Sequence, residues 1–284
     1  MAKAFSVLSW NVEHFGKTTR NRSSSMKPVG PIIDLIASKN ADVVAIYEVV
    51  GKHVFDEVTE KMPNYHFHIT EGRQTQEILI GVKRNFTSFF TQKTEFKSGS
   101  QYLRPGALLT LTKNGHQYPI LFLHLKSMTD PKGFGLRDDM TEKALKFKKL
   151  LDKRKRRQDG SGDSNFIFLG DLNTMGMNIT YLNCDISTQQ ELERLDKRLA
   201  TRSVKMKRLS KTNEGTYWPG THSSYPISNL DHVVAAKHLE FKLFSAAEVE
   251  VSGWVDEQSD SAKDAWSETY SDHAILYFEV QEPS

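Results

Sequence analysis

The chain has 284 residues, 38% of them hydrophobic, and a net charge of only +3, enough apolar content for a substantial core and too balanced a charge to announce a polyanion partner by itself. Cys184 is the only cysteine, which excludes an internal disulfide framework and a multi-cysteine zinc cluster. No apolar run approaches the roughly 20 residues that span a bilayer, and the stretch before Trp10 is too short for a signal-peptide core; cytoplasmic residence is expected, with secretion open if a leader has been removed.

In chain order the patterning predicts strands at Phe5 to Trp10 and Asp42 to Tyr47, flanking a helix at Ile32 to Ser38, with another helix at His53 to Met62. Strands follow at Tyr65 to Ile69, Glu77 to Lys83, Ala107 to Thr112 and Pro119 to His124. A long helix is predicted over Leu136 to Arg157, then a strand at Asn165 to Leu169 and a short helix at Gln189 to Leu199. The final strands are Asp231 to Ala235, Phe241 to Phe244 and Ala274 to Val280. Loops are expected at 17–30, which holds the basic, serine-rich stretch 20–25, and at 158–164 and 174–217; loops of such length in a compact domain are usually functional. Many strands, few long helices and no internal repeat point to two packed sheets covered by helices.

The polar residues at the ends of these strands form the more telling pattern. Asn11 and Glu13 alternate onto one face, and Glu48 closes the apolar run from Val43, where a carboxylate is costly unless paired, protonated or bound to a metal. These groups offer only oxygen donors, which suits Mg²⁺ or Mn²⁺ better than zinc. Asp171 and Asn173 leave the strand end through Gly170, which permits a tight backbone. An Asp beside His273 would fix its tautomer and favour the imidazolium, which can stabilise a phosphoryl oxygen; Asp231 and Asp272 open or precede the last strands. Glu77 and His124 form a candidate second pair, and Arg104 a candidate bidentate phosphate clamp. Tyr217 or Trp218 can stack on a base or serve the core. Alone, each of these is an ordinary strand-end, turn or core residue; the weight lies in the ordered set, and because the set spans residues 11–273 a single domain over 1–284 is expected.

Taken in order, Ser9-Trp10-Asn11, Glu48, Gly170-Asp171-Leu172-Asn173, Asp231 and Ser271-Asp272-His273 resemble the motifs of the endonuclease/exonuclease/phosphatase family, the deoxyribonuclease I-like superfamily. The resemblance implies a four-layered α/β sandwich of two packed mixed sheets flanked by helices, and metal-assisted attack of water on a phosphorus ester. It implies Glu48, Asn11 and Asp272 at a Mg²⁺ or Mn²⁺ site, Asp171 helped by Asn173 on the water, and His273 paired with Asp231 on phosphate. Asn11 and Asn173 would also touch substrate, with Arg104 and Trp218. Glu77, Arg104 and His124 resemble the deoxyribonuclease I branch most, so the expected activity is a DNA phosphodiesterase, an endonuclease, with no protein partner indicated. A phosphomonoesterase, a lipid phosphodiesterase or a tyrosyl-DNA phosphodiesterase are the alternatives, while the completeness of the set argues against a binding protein with a dead site. Tyr47 stands where many members carry Gln, and Glu13 where repair nucleases often have Asp. The lack of disulfides argues against an extracellular digestive role.

Overall fold

The computed structural model describes residues 2–18, 26–160, 162–179 and 184–282, so the basic, serine-rich stretch 20–25 lies outside the described residues, as do residue 161 and residues 180–183 of the other two expected loops. Two compact units make up the chain: residues 1–87, 210–228 and 241–284 form one, and residues 88–209 and 229–240 the other.

The first unit is built on a six-stranded sheet in the order β13 (Glu250–Ser252), β14 (Ile275–Gln281), β1 (Lys3–Phe15), β2 (Val43–Val49), β4 (Glu77–Lys83) and β3 (Tyr65–Ile69). β1 runs parallel to β2 and antiparallel to β14, so the sheet is mixed. Leu8, Trp10 and Val12 of β1, with Val44 and Ile46 of β2, pack on one face against α1 (Val29–Ser38) and α2 (Lys52–Lys61), which turn Ile32, Ile33, Ile36, Val54 and Val58 towards them. Alternation along β1 therefore places Ser9, Asn11 and Glu13 on the opposite face. Asp42 sets the register at the strand starts: it accepts from the Ser6 amide at 2.9 Å and hydroxyl at 3.0 Å and pairs with Lys3 at 3.0 Å and Lys83 at 3.1 Å. At the other end the backbones of Gly16 and Gly51 touch so closely that a Cβ on Gly51 would fall 2.2 Å from the Gly16 carbonyl oxygen. A fifth helix, α5 (Asp260–Thr269), is capped by Ser259, whose hydroxyl accepts from the Ala262 amide.

The second unit carries the other six-stranded sheet, in the order β11 (Met206–Arg208), β12 (Asp231–Ala236), β8 (Ile167–Asp171), β7 (His116–His124), β6 (Gly106–Lys113) and β5 (Thr87–Lys93). β7 and β8 are parallel while β12 is antiparallel to β8, so this sheet is also mixed. The long helix α3 (Pro131–Asp159) starts at an Asp130 cap followed by Pro131 and ends at Gly160, signals that extend it beyond the predicted 136–157. α4 (Thr188–Leu199) has a capping box between Ser187 and Gln190. A short ribbon of β9 (Met177–Asn178) and β10 (Cys184–Ile186) precedes it.

The stretch Phe241 to Phe244, expected as a strand, forms only isolated bridges, Phe241 to Val280 and Phe244 to Ala247. Its central Lys242 and Leu243 face solvent, which leaves too little apolar surface on either face to hold a ladder. β5, an edge strand with an exposed Phe89, and α5 were not signalled by the periodicity. On α3 the basic run from Lys143 to Arg157 is largely solvated, except that Lys148 is buried and holds both carboxylate oxygens of Asp152 at 2.6 and 2.7 Å. No helix among the described residues is long and apolar enough to cross a membrane.

Candidate active site

In the first unit, the carboxylate of Glu48 is fixed by its backbone and by three neighbours. Glu48 lies in the left-handed region (φ 61°), as does His14 (φ 48°), and a non-glycine residue held there carries backbone strain that the surroundings must outweigh. Oε1 accepts from Asn11 Nδ2 at 3.4 Å, and Oε2 accepts from the His14 amide at 3.2 Å and from Gln76 Nε2 at 2.5 Å. Asn11 Nδ2 is also 3.5 Å from His273 Nε2, so one buried amide touches both.

His273 is held from three sides. Its carbonyl accepts from Trp10 Nε1 at 2.9 Å, its amide donates to the Ser271 hydroxyl at 3.1 Å, and the Tyr217 ring meets the imidazole edge-on at 5.3 Å between centroids. Ser271 in turn donates to the Asn11 carbonyl at 2.6 Å, tying β1 to the turn before β14. Burial pushes the Asp272 carboxyl up, and Glu13 and Glu48 push it further, against the pull of His273 and Lys27; it comes to rest at about 6. Glu13 and Glu48 thus both lie within electrostatic reach of Asp272.

Glu77 begins β4 opposite Val49, and its Oε2 accepts from the Thr70 hydroxyl at 2.6 Å and from Gln74 Nε2 at 2.7 Å. It borders an open pocket of about 550 Å³ whose walls include Val50, Phe55, Ile69 and Glu71. Trp218 is 6% exposed, with its ring packed at a 34° tilt on Trp254, 5.6 Å between centroids, and its Nε1 donating to Asp264 at 2.8 Å. The base-stacking face expected of it is covered by that packing, and the aromatic residue against His273 is its neighbour Tyr217.

In the second unit three adjacent strand ends line up a row of buried groups. Parallel pairing sets His124 of β7 opposite Asp171 of β8, and antiparallel pairing sets Asp231 of β12 on the other side of Asp171. His124 Nε2 stands 3.4 Å from Asp171 Oδ2. The Arg104 guanidinium lies against the same imidazole, its Nε donating to Nδ1 at 3.1 Å. Asn173, in the left-handed region at φ 50°, donates its amide to Asp171 Oδ1 at 3.0 Å and its Nδ2 to the Leu125 carbonyl at 3.2 Å. The next residue, Thr174, bridges the Asn229 carbonyl at 2.6 Å and His232 Nε2 at 2.9 Å, so the loop after β8 is bound to the start of β12.

Among the predicted site residues Asn11 lies inside β1, which runs on to Phe15 rather than ending at Trp10, Arg104 lies in the approach to β6 and Trp218 in a core; the others stand at a strand end or in the turn beside one. Sequence reasoning missed His14, Gln76, Lys27, Ser271 as a tether, and Thr174. Gln76 had a signal, since it adjoins Glu77 at the start of a strand; His14 had none, because its contact depends on a backbone reversal that periodicity does not register.

The sequence matches the profile of the Endonuclease/Exonuclease/phosphatase family over residues 8–273. The chain belongs to that family. Its members are metal-dependent hydrolases, and the oxygen donors of Glu48, Asn11 and Asp272 fit a hard divalent cation, which would relieve the crowding that raises Asp272. The endonuclease/exonuclease/phosphatase fold is likewise shared with solved structures. A truncated TDP2 from Caenorhabditis elegans has 15% sequence identity and a TM-score of 0.63, covering 97% of each chain. D. rerio TDP2 complexed with single strand DNA product has 16% identity and a TM-score of 0.59 over 98% of each. The human Nocturnin catalytic domain with bound sulfate has 15% identity and a TM-score of 0.59 over 99% of this chain and 95% of that one. With them the chain takes its place in the α/β class, as a four-layered α/β sandwich with two mixed sheets flanked by helices. No curated protein matches the sequence.

Proposed function

We propose that this family member is a divalent-metal-dependent phosphodiesterase that cleaves DNA as an endonuclease, working as one catalytic domain. The observation that carries the reading is the donor set of the first unit, in which Asn11 Nδ2 lies 3.4 Å from Glu48 Oε1 and 3.5 Å from His273 Nε2, while burial, with Glu13 and Glu48, holds the Asp272 carboxyl above its ordinary range. Mg²⁺ or Mn²⁺ held by Glu48, Asn11 and Asp272 would supply positive charge to a phosphoryl oxygen and acidify a water. Asp171, its Oδ1 held by the Asn173 amide, orients the attacking water and takes its proton. Asp231, beside it in register, and His124, against it, share that proton handling. His273, anchored by Trp10 and Ser271, binds a phosphoryl oxygen as imidazolium. Arg104 supports this chemistry through His124, and Glu77 stands at the rim of a pocket that receives part of the substrate.

The DNA product in the D. rerio TDP2 structure supports nucleic acid as the substrate, and the family match over residues 8–273 supports one working domain. The lone Cys184 fits a reducing, cytoplasmic setting. The test sets purified protein against supercoiled plasmid, single-stranded DNA, RNA and an inositol polyphosphate with Mg²⁺, Mn²⁺ or chelator. Plasmid nicking that needs the metal and falls at least about a hundredfold in Glu48→Gln and in His273→Ala is expected. Turnover of the inositol phosphate with intact plasmid would replace the reading with a phosphatase.

A further inference from the structure

Among the described residues Lys27 is the one buried ammonium paired with this carboxylate set, and the hydrolytic roles above do not use it. Its side chain is 1% exposed, against 26% for its partner Glu13, and Nζ lies 3.1 Å from Glu13 Oε2. The same nitrogen donates to the Ser267 carbonyl at 2.6 Å and to the Glu268 carbonyl at 3.3 Å, both in the last turn of α5. An ammonium has three donors, and all three have acceptors, two of them at the negative end of a helix. Glu13 shares its strand face with Asn11, so without Lys27 its carboxylate would turn to the same cation as its neighbour. The charge of Lys27 also reaches Asp272.

We propose that Lys27 is a positioning residue that neutralises Glu13, keeps it out of the metal's ligand set and so limits the cluster to one divalent cation. Of the charges that bear on Asp272, those of Glu13 and Glu48 are negative and those of His273 and Lys27 positive, so Lys27 offsets one carboxylate of the set. With the ammonium gone that offset is lost, and Glu13 becomes a donor for a second ion. This rests on the metal reading of Glu48 and Asp272 given above.

Direct binding of Mn²⁺ to the full chain, followed by calorimetry and by the electron paramagnetic resonance of free Mn²⁺ at pH 7.5, tests it. Wild type is expected to bind one Mn²⁺, and Glu48→Gln to lose it. Lys27→Met is expected to bind the first Mn²⁺ about tenfold more tightly and to take a second. The charge-matched pair Lys27→Met with Glu13→Gln is expected to return to one Mn²⁺ within about threefold of wild-type affinity. Lys27→Met that binds one ion at unchanged affinity overturns the proposal. If the single variant does not fold, the pair decides, because a loss of more than about tenfold there makes Glu13 itself a ligand. Wild type that binds no Mn²⁺ sinks the metal reading as well, which separates the two failures.

Discussion

Replacing Arg137 by Met would remove the pin that holds the loops around Asp171 and Asn173. The guanidinium, on the buried face of α3, donates from Nε to Glu191 Oε1 at 3.0 Å and from Nη2 to Glu191 Oε2 at 3.2 Å. It also reaches the Met128 carbonyl at 2.6 Å, the Lys126 carbonyl at 3.3 Å and the Gly176 carbonyl at 2.7 Å, while Glu191 takes the Gly176 amide at 2.7 Å. One side chain thus joins the segment after β7, the segment after β8 and the first turn of α4. With side-chain exposures of 2% for Arg137 and 12% for Glu191, the pair is desolvated, and removal of one partner from such a pair costs about 3–5 kcal/mol. The freed Met128 carbonyl belongs to an exposed residue that water can reach, while the Gly176 carbonyl is buried, so the cost is about 4 kcal/mol. Against a typical stability of about 5–15 kcal/mol the variant still folds. Urea unfolding reads the stability, and plasmid nicking at saturating substrate reads kcat, which should fall about a hundredfold if the Asn173 loop shifts by about 1 Å. Adding Glu191→Met should recover at least about 1 kcal/mol, since the uncompensated carboxylate goes with it. A stability loss under about 1 kcal/mol, or a full loss with kcat untouched, would refute the assignment of Arg137 as the brace of this loop.

Arg104→Met distinguishes the clamp expected from sequence from the contact seen in the structure. Because the guanidinium rests on His124, kcat should fall about tenfold with KM little changed, and a raised KM at constant kcat in steady-state nicking would restore the phosphate clamp. Acid stability should depend on Asp42: burial pushes its carboxyl up, but the hydrogen bonds from Lys3, Lys83 and Ser6 outweigh that and hold it below the ordinary carboxylate range. A depressed folded-state value contributes stability that is complete above about pH 4 and is lost as pH falls through the folded value, so Asp42→Asn should flatten the fall in thermal midpoint below about pH 4. An equally steep fall in Asp42→Asn would place the acid lability elsewhere.

Much of the fold was legible because strand periodicity and apolar runs carry it. β3 and β4 begin and end at the predicted residues, and Glu48, Asp171 and Asp231 stand at strand ends as the pattern required. What escaped depends on contacts between distant segments. Lys27 reads as a loop lysine until α5 offers its last carbonyls, and α5 itself has no fully buried residue. The long loop expected at 174–217 holds α4, whose Ser187-x-x-Gln190 box marks its start more sharply than its apolar spacing does. Trp218 shows the converse limit: an aromatic residue beside a functional segment has the same letter whether its face is bare or covered.

The first unit is drawn from three stretches of chain separated by whole elements of the second, and β1 is completed on one side by β2 and on the other by β14. During synthesis this order has a consequence. Glu48 emerges early, yet the turn carrying Asp272 and His273 follows every stretch of the second unit, so the carboxylate set cannot form until that unit has been made. Until then β1 presents an open edge, which makes the interval before β14 docks the time of greatest exposure to misassembly.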